Sequence, residues 1–110
     1  MGPRRSLECS VKASTITLRG DLDFAAVKGL RAVFAAHPEP EAIDMSGVGL
    51  VTSAALIEFV TLAKRMGRRR IAVIGAHPDV ARLFRILGMD RIFVLADRKS
   101  RVTALVPRGK

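Results

Sequence analysis

The stretch Asp44-Met45-Ser46-Gly47-Val48-Gly49-Leu50-Val51-Thr52-Ser53-Ala54-Ala55-Leu56 decides how the rest of the chain is read, because the apolar period changes inside it. At its start, Ala42-Ile43-Asp44-Met45 reads as a short strand. Beyond it, Leu56, Phe59, Val60, Ala63 and Met66 recur at three- and four-residue steps, the spacing of one helix face over residues 52–66. Glu58, Lys64 and Arg65 fall on other faces of that helix. At the junction lies a hydroxyl pair, Thr52-Ser53. A hydroxyl at a helix start accepts a hydrogen bond from a free N–H of the first turn. It is also well placed to carry a phosphoryl group, whose charge is stabilised by those N–H groups and the positive end of the helix dipole. Both readings of the pair stand at this level.

Downstream, Gly67 supplies a helix stop, with Lys64 and Arg65 in the last turn where the dipole favours cations. Ile71-Ala72-Val73-Ile74 reads as a buried strand. His77-Pro78-Asp79 opens a helix with proline in its first turn. Val80, Leu83, Phe84 and Leu87 form its apolar stripe, and Gly88 closes it. Ile92–Leu95 reads as a last strand and residues 99–106 as a weak final helix. Upstream, residues 7–12 and 14–19 read as a hairpin turning at Ala13-Ser14. Asp23 is placed to cap a helix whose stripe is Phe24, Val27, Leu30, Val33 and Phe34, with Lys28 and Arg31 on another face. The prolines of His37-Pro38-Glu39-Pro40 end it. The order ββαβαβαβ, with a final helix, predicts an α/β domain in which helices pack on one sheet.

A chain of 110 residues holds one such domain, and with 49% hydrophobic residues it has enough apolar side chains for a core. The single Cys9 excludes an internal disulfide and fits a reducing compartment; with no long apolar run, the expected location is the cytoplasm. Charge is uneven: residues 1–63 hold six Lys/Arg against seven acids, and residues 64–110 hold thirteen against three. The basic half is read as a solvated surface in preference to a site for nucleic acid, an anionic membrane or an acidic protein face, and Arg68-Arg69-Arg70 as a solvated turn.

Catalytic vocabulary is thin. Ser46-Gly47-Val48-Gly49 is too short for a phosphate loop and lacks its lysine. His37 and His77 have no metal-ligand spacing and read as exposed turn residues. Cys9 reads as a small core residue, and Asp21 and Asp23 as turn and capping carboxylates more than an acid–base pair. No cofactor or metal is implied. The chain reads as a binding protein, not an enzyme.

Three segments in order then resemble the STAS domain, and within it the anti-sigma factor antagonists of bacteria. They are "LRGDLDFAAVKGL", "IDMSGVGLVTSAALIEFVTLAKR" and "GAHPDVARLFRILGMDRIFVLAD". The resemblance runs from about residue 7 to about residue 98, so residues 1–110 are expected to be a single STAS-like domain with a mixed sheet, and 99–110 a weak helix or tail. It implies binding to an anti-sigma factor of the serine protein kinase type, which frees a sigma factor for transcription. The kinase would phosphorylate Ser53 and a phosphatase would reverse it, with Thr52 as substitute acceptor. Asp23 matches the acidic residue of the family's earlier motif, and the partner face would comprise Asp21, Asp23, Thr52, Ser53, Ala54 and Ala55. The family's Asp-Ser-Ser/Thr-Gly motif is altered: Thr52 replaces its aspartate, Ala54 its second hydroxyl residue and Ala55 its glycine. The alternative implied by the same resemblance is an accessory subunit of a transporter of the ABC lipid-transport type, binding without phosphorylation. Nucleic-acid binding ranks below both.

Overall fold

The computed structural model describes residues 6–67 and 70–96. The expected helix at 99–106 and the arginines at 68 and 69 lie outside the described residues. Strands β1 (Glu8–Lys12) and β2 (Thr15–Leu22) form the hairpin, and a 3-10 turn (Phe24–Ala26) leads into α1 (Val27–Ala36). Then follow β3 (Ala42–Val51), α2 (Ser53–Met66), β4 (Ile71–Ile74), α3 (Pro78–Ile86), a second 3-10 turn (Met89–Arg91) and β5 (Phe93–Ala96). The five strands lie in the order β1-β2-β3-β4-β5; the first pair is antiparallel and the others are parallel, a mixed sheet as expected.

Strand β3 is longer than its sequence pattern predicts. It pairs Thr17 with Asp44 but Arg19 with Gly47, and Gly20 with Val48 but Asp21 with Leu50, so β3 carries an extra residue at each of two irregularities. Each extra residue resets the alternation, which is why Met45, Val48 and Val51 are all buried although they are spaced three apart. The strand therefore continues through Ser46–Leu50, where a period of two predicts a break. At the first irregularity the Ser46 N–H and hydroxyl both donate to Asp44 Oδ1, at 2.9 and 2.7 Å. A Cβ at Gly47 would come within 2.9 Å of Arg19 Cγ, so the Arg19 side chain would have to shift to admit one.

One side of the sheet, through Ile16, Leu18, Ile43 and Val73, packs with α1, α2 and α3 into a single core. Phe59 of α2 stands at its centre, edge-on to Phe34, Phe84 and Phe93 with ring centroids 5.2, 5.6 and 5.8 Å away. The other side carries a separate small cluster, Ala42, Ala72 and Ile74.

Several side chains depart from their expected places, among them Leu87 of the expected α3 stripe, which is exposed. Phe24, expected in the α1 stripe, is 81% exposed. The chain enters α1 through a 3-10 turn, so the 3.6-residue phase cannot be extended back to it. Glu58, expected off the apolar face of α2, is nevertheless only 7% exposed and takes a forked pair from Arg31 of α1: Nη2 donates to Oε2 at 3.0 Å and Nε to Oε1 at 3.3 Å. That pair explains the burial, and its hydrogen bonds and charge raise the Arg31 pKa further. Val60, expected on the buried face of α2, is 37% exposed, and Leu62 is buried in its stead. Cys9 is exposed on the edge strand and not in the core.

Candidate functional site

The ends of β2 and β3 and the start of α2 are stitched together by Thr52. Its N–H and its hydroxyl both donate to the Leu22 carbonyl, at 2.9 and 3.1 Å, and its Oγ1 accepts from the Ala55 N–H at 3.4 Å. Thr52 is thus the N-cap residue, with extended φ and ψ, and its oxygen is committed to the fold. Ser53 is the first residue of α2 and is exposed. Of the pair, threonine caps the helix and serine faces solvent at its positive end.

The other expected site residues group around this point with different degrees of access. Asp23 Oδ1 accepts from the Ala26 N–H at 3.1 Å, so it caps the 3-10 turn that leads into α1, whereas α1 itself starts from Ala26 without a side-chain cap. Asp21 is half-buried in β2 beside Leu50, where a Cβ at Gly49 would lie 3.8 Å from its Oδ1. Ala54 is half-buried, and Ala55 is fully buried in the core, so its methyl serves the packing of α2. The first turn of α2 holds no acidic residue.

Three large apolar side chains at this end stay in solvent, and sequence reasoning did not assign them to a site. Leu50 is 47% exposed at the end of β3, Ile57 is 61% exposed one helical turn beyond Ser53, and Phe24 follows the strand whose last carbonyl holds Thr52. The sequence signal for Ile57 is its phase: a large aliphatic residue off the buried stripe of a helix has nothing in its own domain to pack against.

Cys9 lies in a shallow depression with Leu7, Ala25 and Gly29, and partial burial raises its thiol pKa above the ordinary value. A raised pKa means less thiolate at any given pH, so iodoacetamide should alkylate Cys9 at pH 8 more slowly than it alkylates free cysteine. Mass spectrometry over a time course measures this; a faster rate would contradict the desolvated setting and reopen Cys9 as a nucleophile. Among the described residues no group of His, Cys, Asp and Glu is placed to hold a metal ion, and no helix is long and apolar enough to cross a membrane.

Residues 6–97 match the family model for the Mlab, STAS domain. The chain belongs to this STAS family. No curated protein matches it at the level of sequence. Among solved structures, this STAS domain is similar to an anti-sigma factor antagonist from Mycobacterium paratuberculosis, with 20% identity, a TM-score of 0.71, and 96% of this chain and 94% of that one covered. It is also similar to the Bacillus cell fate determinant SpoIIAA in its phosphorylated form, at 14% identity and a TM-score of 0.62, covering 96% of this chain and 100% of that one. The unphosphorylated form of the anti-sigma factor antagonist SpoIIAA matches at 14% identity and a TM-score of 0.59, covering 94% of this chain and 97% of that one. At these identities the likeness is one of fold, and the STAS architecture expected from the sequence is the one observed.

Proposed function

We propose that this STAS domain is an anti-sigma factor antagonist. It docks on an anti-sigma factor of the serine protein kinase type through the face around the start of α2, and so releases a sigma factor. Ser53 is the phosphoacceptor that switches docking off, and a phosphatase restores it. The observation that carries this reading is the division of labour at the helix start: Thr52 holds the cap, and Ser53 is exposed beside Phe24, Leu50 and Ile57. An unmodified face of this kind offers apolar area to a partner. A phosphate on Ser53 adds nearly two negative charges, which a closing interface must strip of water at a cost. One of the similar solved structures is of a phosphorylated form.

Pull-downs with candidate anti-sigma kinases should recover wild type and Ser53→Ala equally, and Ser53→Asp at least about tenfold less. Incubation with the same kinase and ATP should add one phosphate, mapped to Ser53. Failure of every form to capture a kinase would overturn the reading. A second reading, the phosphorylation-independent accessory subunit of a lipid transporter, is favoured by the altered motif, since Thr52 stands in place of the motif's carboxylate, and Ala54 and Ala55 in place of its second hydroxyl residue and its glycine. It predicts capture of a transport ATPase that is indifferent to Ser53→Asp.

A further inference from the structure

At the far end of α2 from Ser53, about 21 Å along a helix of 14 residues, a second surface has a different character. The last turns of α2 and the turn that follows α3 enclose a groove of about 400 Å³. Its floor is apolar, with Ala63, Met89 and Phe93 buried beneath it. Its walls are apolar but open to solvent: Val60, and Leu87, which is 55% exposed although it was expected inside the α3 stripe. Leu87 is turned out because α3 stops at Ile86 and the chain reverses at Gly88, which has a φ of +74°. Lys64 lines the groove, and Arg65 in the last turn of α2 and Arg85 and Arg91 on either side of the turn after α3 are exposed, whereas the acids of these elements are Asp90, Asp79 at the far end of α3, and Glu58, which is paired with Arg31.

The geometry points to this groove as a second docking site, for an acidic amphipathic helix of a protein partner. Such a helix seats apolar side chains at i, i+4 and i+7 in the groove and sets its carboxylates against Lys64 and the arginines. The charge of the rim selects among occupants. A second copy of this chain would bring the same cations face to face. The chain's own residues 97–110, with five Lys/Arg and one Asp, match the rim in sign and so lack the complementary charge. An anionic membrane matches the charge but presents no side chains to fill a concavity. Because the groove and Ser53 lie at opposite ends of α2, this site stands or falls independently of the kinase reading, and both faces can be occupied together.

The test is an NMR titration of the full-length 15N-labelled protein with three probes. These are a synthetic helical peptide with leucines at i, i+4 and i+7 and glutamates elsewhere, a scrambled peptide of the same composition, and phosphatidylglycerol vesicles. The amides of Val60, Lys64, Leu87 and Ile92 should shift with the helical peptide while that of Ser53 stays in place. The scrambled peptide should bind about tenfold more weakly, and Leu87→Glu and Lys64→Glu should each lose about tenfold or more for the helical one. Both replaced side chains are exposed, so the variants should keep the wild-type melting temperature. Equal binding of the scrambled peptide, shifts centred on Ser53, or vesicle binding through the groove without peptide binding would overturn the proposal. So would contacts from residues 97–110 to Leu87 in the free protein.

Discussion

Phe59→Ala is expected to destabilise the domain by about 3–5 kcal/mol, read from urea midpoints at a constant slope. Native domains of this kind are stable by only about 5–15 kcal/mol, so this one truncation removes a large share. Two contributions act together. The side chain is fully buried, so its apolar area is lost from the core and a cavity remains. It also ends three edge-to-face contacts, to Phe34, Phe84 and Phe93, each with a preference of about 0.5–1.5 kcal/mol beyond buried area. The matched control is Phe24→Ala. The same chemical change at a side chain 81% exposed should leave stability within about 0.5 kcal/mol. Similar losses at the two positions would contradict the arrangement of the core.

Gly75→Ala is the second large effect, and it tests the backbone. Gly75 follows β4 with φ +72°, and its N–H donates to the Ala96 carbonyl at 2.9 Å, so the conformation is held by the sheet. A Cβ there would stand 2.7 Å from Ser46 Cβ and 3.2 Å from Ser46 Cα. The left-handed backbone costs an alanine about 1–2 kcal/mol, and the clash adds about 1–3 kcal/mol of the kind seen on overpacking. The sum is a loss of about 2–5 kcal/mol. Gly88→Ala separates the two contributions, since Gly88 has the left-handed conformation, φ +74° and ψ 13°, with nothing within 4 Å of a Cβ, and only the backbone cost applies. In the double variant with Ser46→Gly, part of the Gly75→Ala loss should return as a coupling energy. If Gly75→Ala costs no more than Gly88→Ala, the close approach of β4's end to Ser46 is not there.

How far the sequence could be read depends on how regular each element is. The helix around Phe59 and the strand Ile71–Ile74 were legible because apolar spacing and the stop at Gly67 agree. The alternation in β3 is interrupted twice, so a strand looked like a turn beyond Met45. The burial of Glu58 was not legible because its partner, Arg31, lies 27 residues away, and no local pattern reports a pair that forms across two helices. Leu87 fitted the α3 stripe by spacing, but spacing carries no information once the helix has ended. At the site, the hydroxyl pair was visible while its division of roles was not. That division depends on the Leu22 carbonyl, supplied by a strand thirty residues earlier. The exposed Phe24, Leu50 and Ile57 are unremarkable one at a time; only the fold collects them at one end.

The two supernumerary residues of β3 make Ser46–Leu50 intolerant of length changes, although its glycines give it the look of a flexible connection. Deleting one residue there would swap inside for outside in everything that follows on the strand. Val51 would be driven into water, and Thr52 would no longer meet the Leu22 carbonyl. Homologous chains should therefore vary in length at the segment between α1 and β3 and keep a fixed count between Asp44 and Thr52, which serves as the ruler that presents the serine.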